Sequence, residues 1–501
     1  MTLSLRCATL VSESWPASIY LRLEEPHLTQ INMPIRAAPY RHQREAFTFA
    51  TRLFTEDASP GAALLMEMGT GKTITSIAIA GALWQAGRVK RVLIVAPLSI
   101  LGVWQEEFAK FADFPYTLQA LTGSSEQKVQ ALGRMKGPGL HVAVINYESA
   151  WRLGDTLLAW KPDLVIADES HKIKSHTANA SKFMHKFGNE KCYKLLLTGT
   201  IITNKAIDVY SQYRYLNPAI FGTSFYRFRN RYFDMTGYGS HTPVMKKLME
   251  PEFTQRLHCV AFRATKADCL DLPETVDIIR LVDLEPKAMK AYRDLVRDSY
   301  ADLEDGSVTA ANILTRLMRF SQLTGGFIQP DEGKLQQVSK AKLAALEDIA
   351  DDVIEGGNKL VVIARFVPEL TAIKALLEKK GVRYACVQGD VPVKERSAQV
   401  AMFQDDPEVK VFVGQIATAG LGITLTAATT MVFYSLDYSM SNFEQTKARI
   451  HRAGQLQRCT YIYLTARGTV DGKVLKALQD KADLARSLVD DYRSGGNPYG
   501  E

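Results

Sequence analysis

The sequence predicts an α/β chain built from two doubly wound parallel-sheet lobes with helical insertions between them. Three observations lead there. First, short near-continuous apolar runs alternate with amphipathic helical segments, the pattern of strands buried on both faces of a parallel sheet. Second, that rhythm occurs twice, in the early part of the chain and again in the late part, with a stretch of different character between. Third, at 501 residues the chain is longer than a single hydrophobic core sustains.

The first set of strands is read at RVLIVAP (91–97), HVAVIN (141–146), DLVIAD (163–168) and KLLLT (194–198). The second is read at KLVVIA (359–364), RYACV (383–387), KVFV (410–413), TMVFY (430–434) and TYIYL (460–464). Residues 1–35 are expected to form a small N-terminal extension and 36–218 the first lobe. A helical insertion rich in aromatic and basic residues is expected over 219–272. The second lobe then begins at 273–335, with a helical insertion where apolar residues recur at helical spacing around 311–318, and its body is 336–470. A C-terminal helix and tail occupy 471–501, and residues after Asp491 are expected to fray.

Composition excludes several classes. Hydrophobic residues are 46% and charged residues 23%, ordinary for a globular protein. No apolar run reaches membrane-helix length, and the N-terminal residues do not read as a secretory signal. The six cysteines (7, 192, 259, 269, 386 and 459) are scattered with no C-x-x-C pair, which speaks against a zinc site or a disulfide framework and for a reducing compartment. The net charge of +7 is compatible with a polyanionic partner.

The strongest local signal is MEMGTGKT (66–73), placed after the strand-like run AALLM (62–66) and before a helix. That is the context of a phosphate loop. Gly69 and Gly71 let the backbone curl so that its N–H groups, including those around Met68 and Thr70, face phosphate oxygens. The helix N-terminus adds a favourable dipole. Lys72 is placed to reach the β- and γ-phosphates and the Thr73 hydroxyl to hold magnesium. The second signal is DESH (168–171), which closes a buried strand. There Asp168 suits a magnesium ligand acting through water, and Glu169 suits polarisation of the attacking water. The third is QTKARIHRAGQ (445–455): on a helix, Gln445, Arg449 and Arg452 fall at i, i+4 and i+7 on one face, where the arginines could serve a phosphoryl-transfer transition state.

Taken in order, these motifs resemble the Swi/Snf-type DNA-dependent ATPases, a branch of the superfamily-two helicases with RecA-like lobes, in a compact bacterial or viral form. The resemblance runs from about residue 39 to 484. PYRHQ (39–43) is similar to the adenine-reading segment, with Gln43 as the contact. LTGT (197–200), followed by IITN (201–204), resembles the family's L-T-G-T-P-x-x-N with Ile201 in place of proline. The resemblance makes Thr198, Gly199 and Thr200, with His171, the elements that couple hydrolysis to movement. FRATK (262–266), running on to LDLP (270–273), is similar to the hand-over from first lobe to second. TAGLGITLTA (418–427) resembles A-G-G-L-G-I-N-L-T-A and brings Gly422 to the nucleotide. Arg449 and Arg452 become finger arginines and Gln445 their partner.

The resemblance further implies ATP and magnesium as cofactors and a cleft that closes on ATP and opens on product release. Backbone contacts to nucleic acid are expected at strand ends: Pro97, Ser99, Asn146 and Tyr147 in the first lobe, and Arg365, Gly389, Asp390 and Thr424 in the second. Such contacts carry little sequence information and are salt-dependent. The expected function is a DNA-dependent ATPase that translocates on double-stranded or forked DNA without sequence preference and remodels DNA or protein–DNA structures. It is expected to act as a monomer, with no membrane partner, in the cytoplasm of a bacterial or virus-infected cell, or in a eukaryotic nucleus. A strand-separating DNA or RNA helicase, the motor of a larger restriction or defence complex, and a binding protein using ATP as a switch stand as alternatives. Trp104 reads as a core anchor. YRFRNRY (226–232) reads equally as a DNA contact and as an amphipathic helix. His171 and His451 read as hydrogen-bond linkers rather than metal ligands.

Overall fold

The computed structural model describes residues 32–203, 205–236, 242–269, 272–304, 310–328, 335–389, 391, 393–416 and 423–489. Gly422, Asn204, Asp390 and Cys7, named above, lie outside the described residues, as do the N-terminal extension up to residue 31 and the tail from residue 490. The chain divides into two compact units, the first reaching Cys269 and the second ending at Leu484.

The first unit is a seven-stranded, all-parallel sheet. Its strands are β1 (Gly61–Met66), β2 (Arg91–Ala96), β3 (Tyr116–Ala120), β4 (Leu140–Asn146), β5 (Leu164–Asp168), β6 (Tyr193–Leu197) and, later in the chain, β9 (Ala261–Ala264). Their spatial order is β3-β4-β2-β5-β6-β1-β9. All six residues of β1 and all five of β5 are buried, the reason these strands read as unbroken apolar runs. Each buried aliphatic side chain contributes roughly 1.5–3 kcal/mol. In sequence β2 follows β1, yet β5 and β6 stand between them. The carboxyl ends of β1, β6 and β5 therefore lie side by side, and loops leaving such strand ends are where ligands bind in open parallel sheets.

The stretch 219–272 is not wholly an insertion, because β9 within it pairs in register with β1, Ala63 opposite Ala261 and Met66 opposite Ala264. Before β9 come the helix Phe225–Tyr232, a hairpin of β7 (Phe233–Thr236) and β8 (Thr242–Met245), and the helix Glu250–His258. In the helix Phe225–Tyr232, Phe228 and Tyr232 are buried against Phe221 and Phe253, while Tyr226 is exposed and the Arg229 guanidinium lies 5.2 Å from its ring. The amphipathic reading describes this helix.

The second unit is a six-stranded parallel sheet of order β10-β17-β16-β13-β15-β14. It comprises β10 (Thr275–Val282), β13 (Lys359–Ala364), β14 (Arg383–Val387), β15 (Val409–Gln415), β16 (Ala428–Phe433) and β17 (Cys459–Ala466). The helices Pro286–Glu304 and Ala310–Thr324 and the short pair β11 (Phe327–Ile328) and β12 (Gln336–Gln337) are inserted between β10 and β13. Among the described residues no helix is long and apolar enough to cross a membrane. Among the described residues no disulfide joins two cysteines, and no cluster of three or more His, Cys, Asp or Glu side chains suits a metal.

Candidate nucleotide site and strand-end loops

The loop after β1 turns through Gly69 (φ 87°) and Gly71 (φ 95°) into the helix Lys72–Gln85. At Gly71 both the left-handed backbone and a close approach require glycine, since a Cβ there would stand 2.2 Å from Nε2 of Gln43. Gln43 is buried on the helix Arg41–Thr55. Its Nε2 donates to the Thr70 carbonyl at 3.2 Å and its Oε1 accepts from the Tyr40 amide at 3.0 Å. His42 Nε2 donates to the same Thr70 carbonyl at 2.7 Å. Thr70 is itself fully buried and gives its hydroxyl to the Glu67 carbonyl at 2.7 Å. The loop is thus clamped from the side by the segment read as adenine-contacting.

Lys72 Nζ donates to the carbonyls of Met66 at 2.8 Å and Glu67 at 3.3 Å. Burial lowers the pKa of its ammonium, opposed by the nearby charges of Glu169, Asp168 and Glu67. Asp168 caps β5. Its Oδ2 accepts from the Trp104 indole N–H at 3.0 Å and its Oδ1 from the Glu169 amide at 2.9 Å. Burial, reinforced by Glu169, pushes the Asp168 carboxyl up to about 7, with Lys72 and Trp104 pulling it back. Glu169 adopts the left-handed conformation (φ 50°), costly for a non-glycine residue, and its Oε2 lies 3.3 Å from Nδ1 of His171. The strand end therefore turns sharply between the two carboxylates.

These groups fit ATP and magnesium. An ammonium with depressed pKa facing two carboxylates is stabilised by a bound polyphosphate. Asp168 and Thr73 would supply one carboxylate and one hydroxyl, a sparse set of the kind magnesium accepts alongside phosphate oxygens and water. Thr198 is fully buried and closes a small turn with Thr200, its Oγ1 donating to the Thr200 carbonyl and accepting from the Thr200 amide, both at 3.1 Å. Gly199 runs beside the phosphate loop: a Cβ there would lie 3.5 Å from the Met66 carbonyl oxygen and the Met68 nitrogen.

Sequence reasoning missed two partnerships here. Arg263 on β9 is buried and donates to the carbonyls of Leu65 at 3.1 Å and Gly199 at 3.2 Å, and to Glu67 Oε1 at 3.3 Å; Glu67 Oε2 accepts from the Lys266 amide at 2.9 Å. This fork ties the ends of β1, β6 and β9 together. Trp104 is 1% exposed, as its core reading requires, and also holds Asp168. The signals available were the places of Glu67 and Arg263 inside family-like segments and the core reading of Trp104.

One expectation is corrected and another narrowed. Tyr147 keeps its ring inside the unit, which leaves its backbone for the contact expected there. It is 3% exposed, and its hydroxyl donates to the Asp168 carbonyl at 2.8 Å, because strand β4 ends directly in a helix that turns the ring inward. Asn146, also buried, gives its amide to Glu148 at 2.9 Å, while Pro97 and Ser99 at the end of β2 are half-buried. Gln445, Arg449 and Arg452 do not share a helix face, since the helix Met440–Lys447 stops short of both arginines. The Arg449 carbonyl accepts from the Leu425 amide at 2.9 Å instead of continuing the helical ladder. The Gln455 amide holds the turn through the carbonyls of Ile450, Thr426 and Ala428.

In the second unit Gln445 is buried and donates to Ser441 at 3.3 Å. Arg449 is buried, and Arg452 donates to Thr424 Oγ1 at 2.8 Å, so Thr424 is joined to an arginine. His451 Nε2 donates to the Pro273 carbonyl at 2.9 Å, a linking role. Arg365 and Gly389, at the ends of β13 and β14, are tied together by one side chain: Gln415 Nε2 donates to the Arg365 carbonyl at 3.2 Å, and Gln415 Oε1 accepts from the Gly389 amide at 3.1 Å.

Comparison with known proteins fits this geometry. Residues 42–324 match the model of the SNF2-related domain and residues 341–454 that of the helicase conserved C-terminal domain. The chain is 25% identical to mouse chromodomain-helicase-DNA-binding protein 1-like, over 96% of this chain and 53% of that protein. It is 29% identical to mouse DNA annealing helicase and endonuclease ZRANB3, over 84% of this chain and 38% of that protein. With Drosophila ananassae DNA repair and recombination protein RAD54-like it shares 26% identity, over 90% and 63%. The chain thus spans about half the length of the curated relatives it matches. A solved Sulfolobus solfataricus SWI2/SNF2 ATPase core in complex with dsDNA aligns with 94% of this chain and 96% of that one, at 24% identity and a TM-score of 0.43. With the SNF2-related model matched over more than half its length, the chain belongs to the SNF2-related family of helicase-like ATP hydrolases.

Proposed function

We propose that the chain couples ATP hydrolysis to movement along double-stranded or forked DNA, without sequence preference, and thereby remodels DNA or protein–DNA structures by fork remodelling, strand annealing or protein displacement. The observation that carries this reading is the group of side chains at the ends of β1 and β5: Lys72 held by the carbonyls of Met66 and Glu67, in the field of Asp168 and Glu169, with Asp168 fixed by Trp104 and the Glu169 amide. Gln43, residues 68–73 and Gly422 would hold ATP, while Thr73 and Asp168 would hold magnesium. That pair supplies a polarised phosphoryl group. Lys72 binds and orients the β- and γ-phosphates, Glu169 orients the attacking water and takes its proton, and His171 holds the Glu169 carboxylate in place. Arg449 and Arg452, partnered by Gln445, take the finger role that the family resemblance assigns them. Thr198, Gly199 and Thr200 transmit the state of the pocket.

Pro97, Ser99, Arg365, Gly389 and Thr424 would track the phosphate backbone, which makes binding salt-dependent and indifferent to sequence. The similarity to ZRANB3, a DNA annealing helicase and endonuclease, and to a RAD54-like DNA repair and recombination protein favours DNA as the substrate. A monomer working in a bacterial cytoplasm, or in a nucleus if eukaryotic, fits that substrate.

The test is steady-state ATP hydrolysis alone and with duplex, single-stranded and forked DNA and RNA, for wild type and Glu169→Gln. Stimulation by duplex or forked DNA that Glu169→Gln abolishes is the expected result. Stimulation by RNA or by single strands alone would replace this reading with a strand-separating helicase.

A further inference from the structure

Ser170 lies inside the carboxylate box but has no part in the chemistry above. It is fully buried, and its hydroxyl donates to Oε1 of Gln212 at 2.7 Å. Gln212, on the helix Val209–Leu216, is also fully buried. Its Nε2 donates to the carbonyl of Ile201 at 2.9 Å, and to that of Asp208 at 3.0 Å. Ile201 directly follows Thr200. One carboxamide therefore spans from the box that holds Glu169 to the loop that holds Thr198 and Thr200. With its oxygen accepting and both its N–H groups donating, in an interior where an unmade hydrogen bond is costly, this side chain cannot rotate without breaking a contact at one end.

A second bridge runs beside it. Lys174, just beyond the box, donates through Nζ to Thr203 Oγ1 at 2.7 Å, and that hydroxyl donates to Asp208 Oδ2 at 3.2 Å. Both bridges end at the start of the helix Val209–Leu216, a fixed base for the loop. Glu169 precedes Ser170 in a strained left-handed conformation, so relaxation of the backbone there reorients the Ser170 hydroxyl first.

We propose that Gln212 is the positioning residue through which the conformation of the carboxylate box is imposed on the loop 198–203. It touches neither nucleotide nor nucleic acid. It sets whether a change at Glu169 reaches the loop, a role that rests on the coupling function proposed above. Coupling carried by a buried hydrogen-bonded relay is expected when both ends have two discrete arrangements.

The test compares wild type with Gln212→Leu, which removes all three contacts, and Gln212→Glu, which keeps an acceptor for Ser170 and loses the donors to Ile201 and Asp208. Three quantities are read: kcat and KM for ATP without DNA, kcat with saturating duplex DNA, and amide hydrogen exchange across residues 198–203 with and without ATP. Both variants are expected to keep the DNA-free constants within about twofold of wild type. Both are expected to lose DNA stimulation by about tenfold or more. In both, exchange of the loop should no longer respond to ATP. Thermal melting monitors folding, and Ser170→Ala, which opens the same bridge from its other end, replaces any variant that fails to fold. Full DNA stimulation together with an unaltered exchange response in Gln212→Leu would overturn the inference. Wild type without DNA stimulation would overturn the motor reading instead, and the exchange experiment then decides the inference by itself.

Discussion

The indole N–H of Trp104 donates to Oδ2 of Asp168 at 3.0 Å, although the tryptophan is 1% exposed and packs with Phe108 in the core of the first unit. A residue that anchors a helix also lowers the pKa of the carboxylate proposed to bind magnesium, against the burial that raises it. A hydrogen bond to the ionised form lowers a carboxyl pKa, so removing it raises one that already stands at about 7. Trp104→Phe keeps most of the packing and loses the donor. The magnesium concentration that gives half-maximal ATP turnover near pH 6 should then rise several-fold above wild type, because the metal must displace a proton that Asp168 holds more tightly, and the gap should narrow above about pH 8. The same magnesium dependence in both proteins at pH 6 would contradict this.

Gly71→Ala places a methyl group against the Gln43 amide in a backbone conformation that disfavours side chains. A cost of about 1–2 kcal/mol is expected from the left-handed conformation alone. The displacement of Gln43 from Thr70 should appear as lost ATP affinity in a calorimetric titration, with the circular-dichroism spectrum unchanged.

Arg263→Ala leaves Glu67 and the carbonyls of Leu65 and Gly199 without their shared donor, and a loss of about 3 kcal/mol in urea unfolding is expected. Arg263→Lys keeps the charge without the planar fork, so it should recover less than half of that loss.

Glu369 predicts a pH dependence in the second unit. It is buried at the start of the helix Val367–Lys379, where Oε2 accepts from Ser435 Oγ at 2.5 Å and from the amides of Arg365 at 3.1 Å and Phe366 at 3.0 Å. Burial outweighs these donors and pushes its carboxyl up to about 7. Because the folded value lies above the ordinary 4.5, its contribution to stability is fully present below about pH 4.5 and is lost as pH rises through 7. Glu369→Gln removes that slope, so the variant should gain on wild type by up to about 3 kcal/mol between acidic and mildly alkaline buffer. Parallel stability curves would refute the assignment.

What the sequence disclosed was local. The phosphate loop and Asp168–Glu169 were legible because strand, turn and helix each leave a pattern within a dozen residues, and both doubly wound sheets followed from the same apolar runs. The pairing of Glu67 with Arg263 was not, since the partners are 196 residues apart and only the sheet order brings them together. The spacing of Gln445, Arg449 and Arg452 suggested a continuous helix, but the helix ends at Lys447, where the Arg449 amide tightens back to the Thr446 carbonyl and the carbonyls of Arg449 and Ile450 are taken by the Leu425 amide and the Gln455 side chain. The inward turn of the Tyr147 ring was not legible because a strand-end position does not say which way a side chain points. Gln212 carried no motif at all: a glutamine on a helix reads as solvated until the fold buries it.

Strand β1, which carries the phosphate loop at its end, pairs with β6 on one side and β9 on the other. As the chain leaves the ribosome, β1 is made long before β9, so one of its edges stays open through the synthesis of everything between them. An apolar strand with an exposed edge is a site for mispairing, and closing so long a loop is slow. The helices and hairpin ahead of β9 can pack locally by then, leaving a short final addition, with Arg263 locking into Glu67 as it arrives. Nascent chains halted before Ala261 would therefore be the ones that need a chaperone, and those released after Lys266 would not.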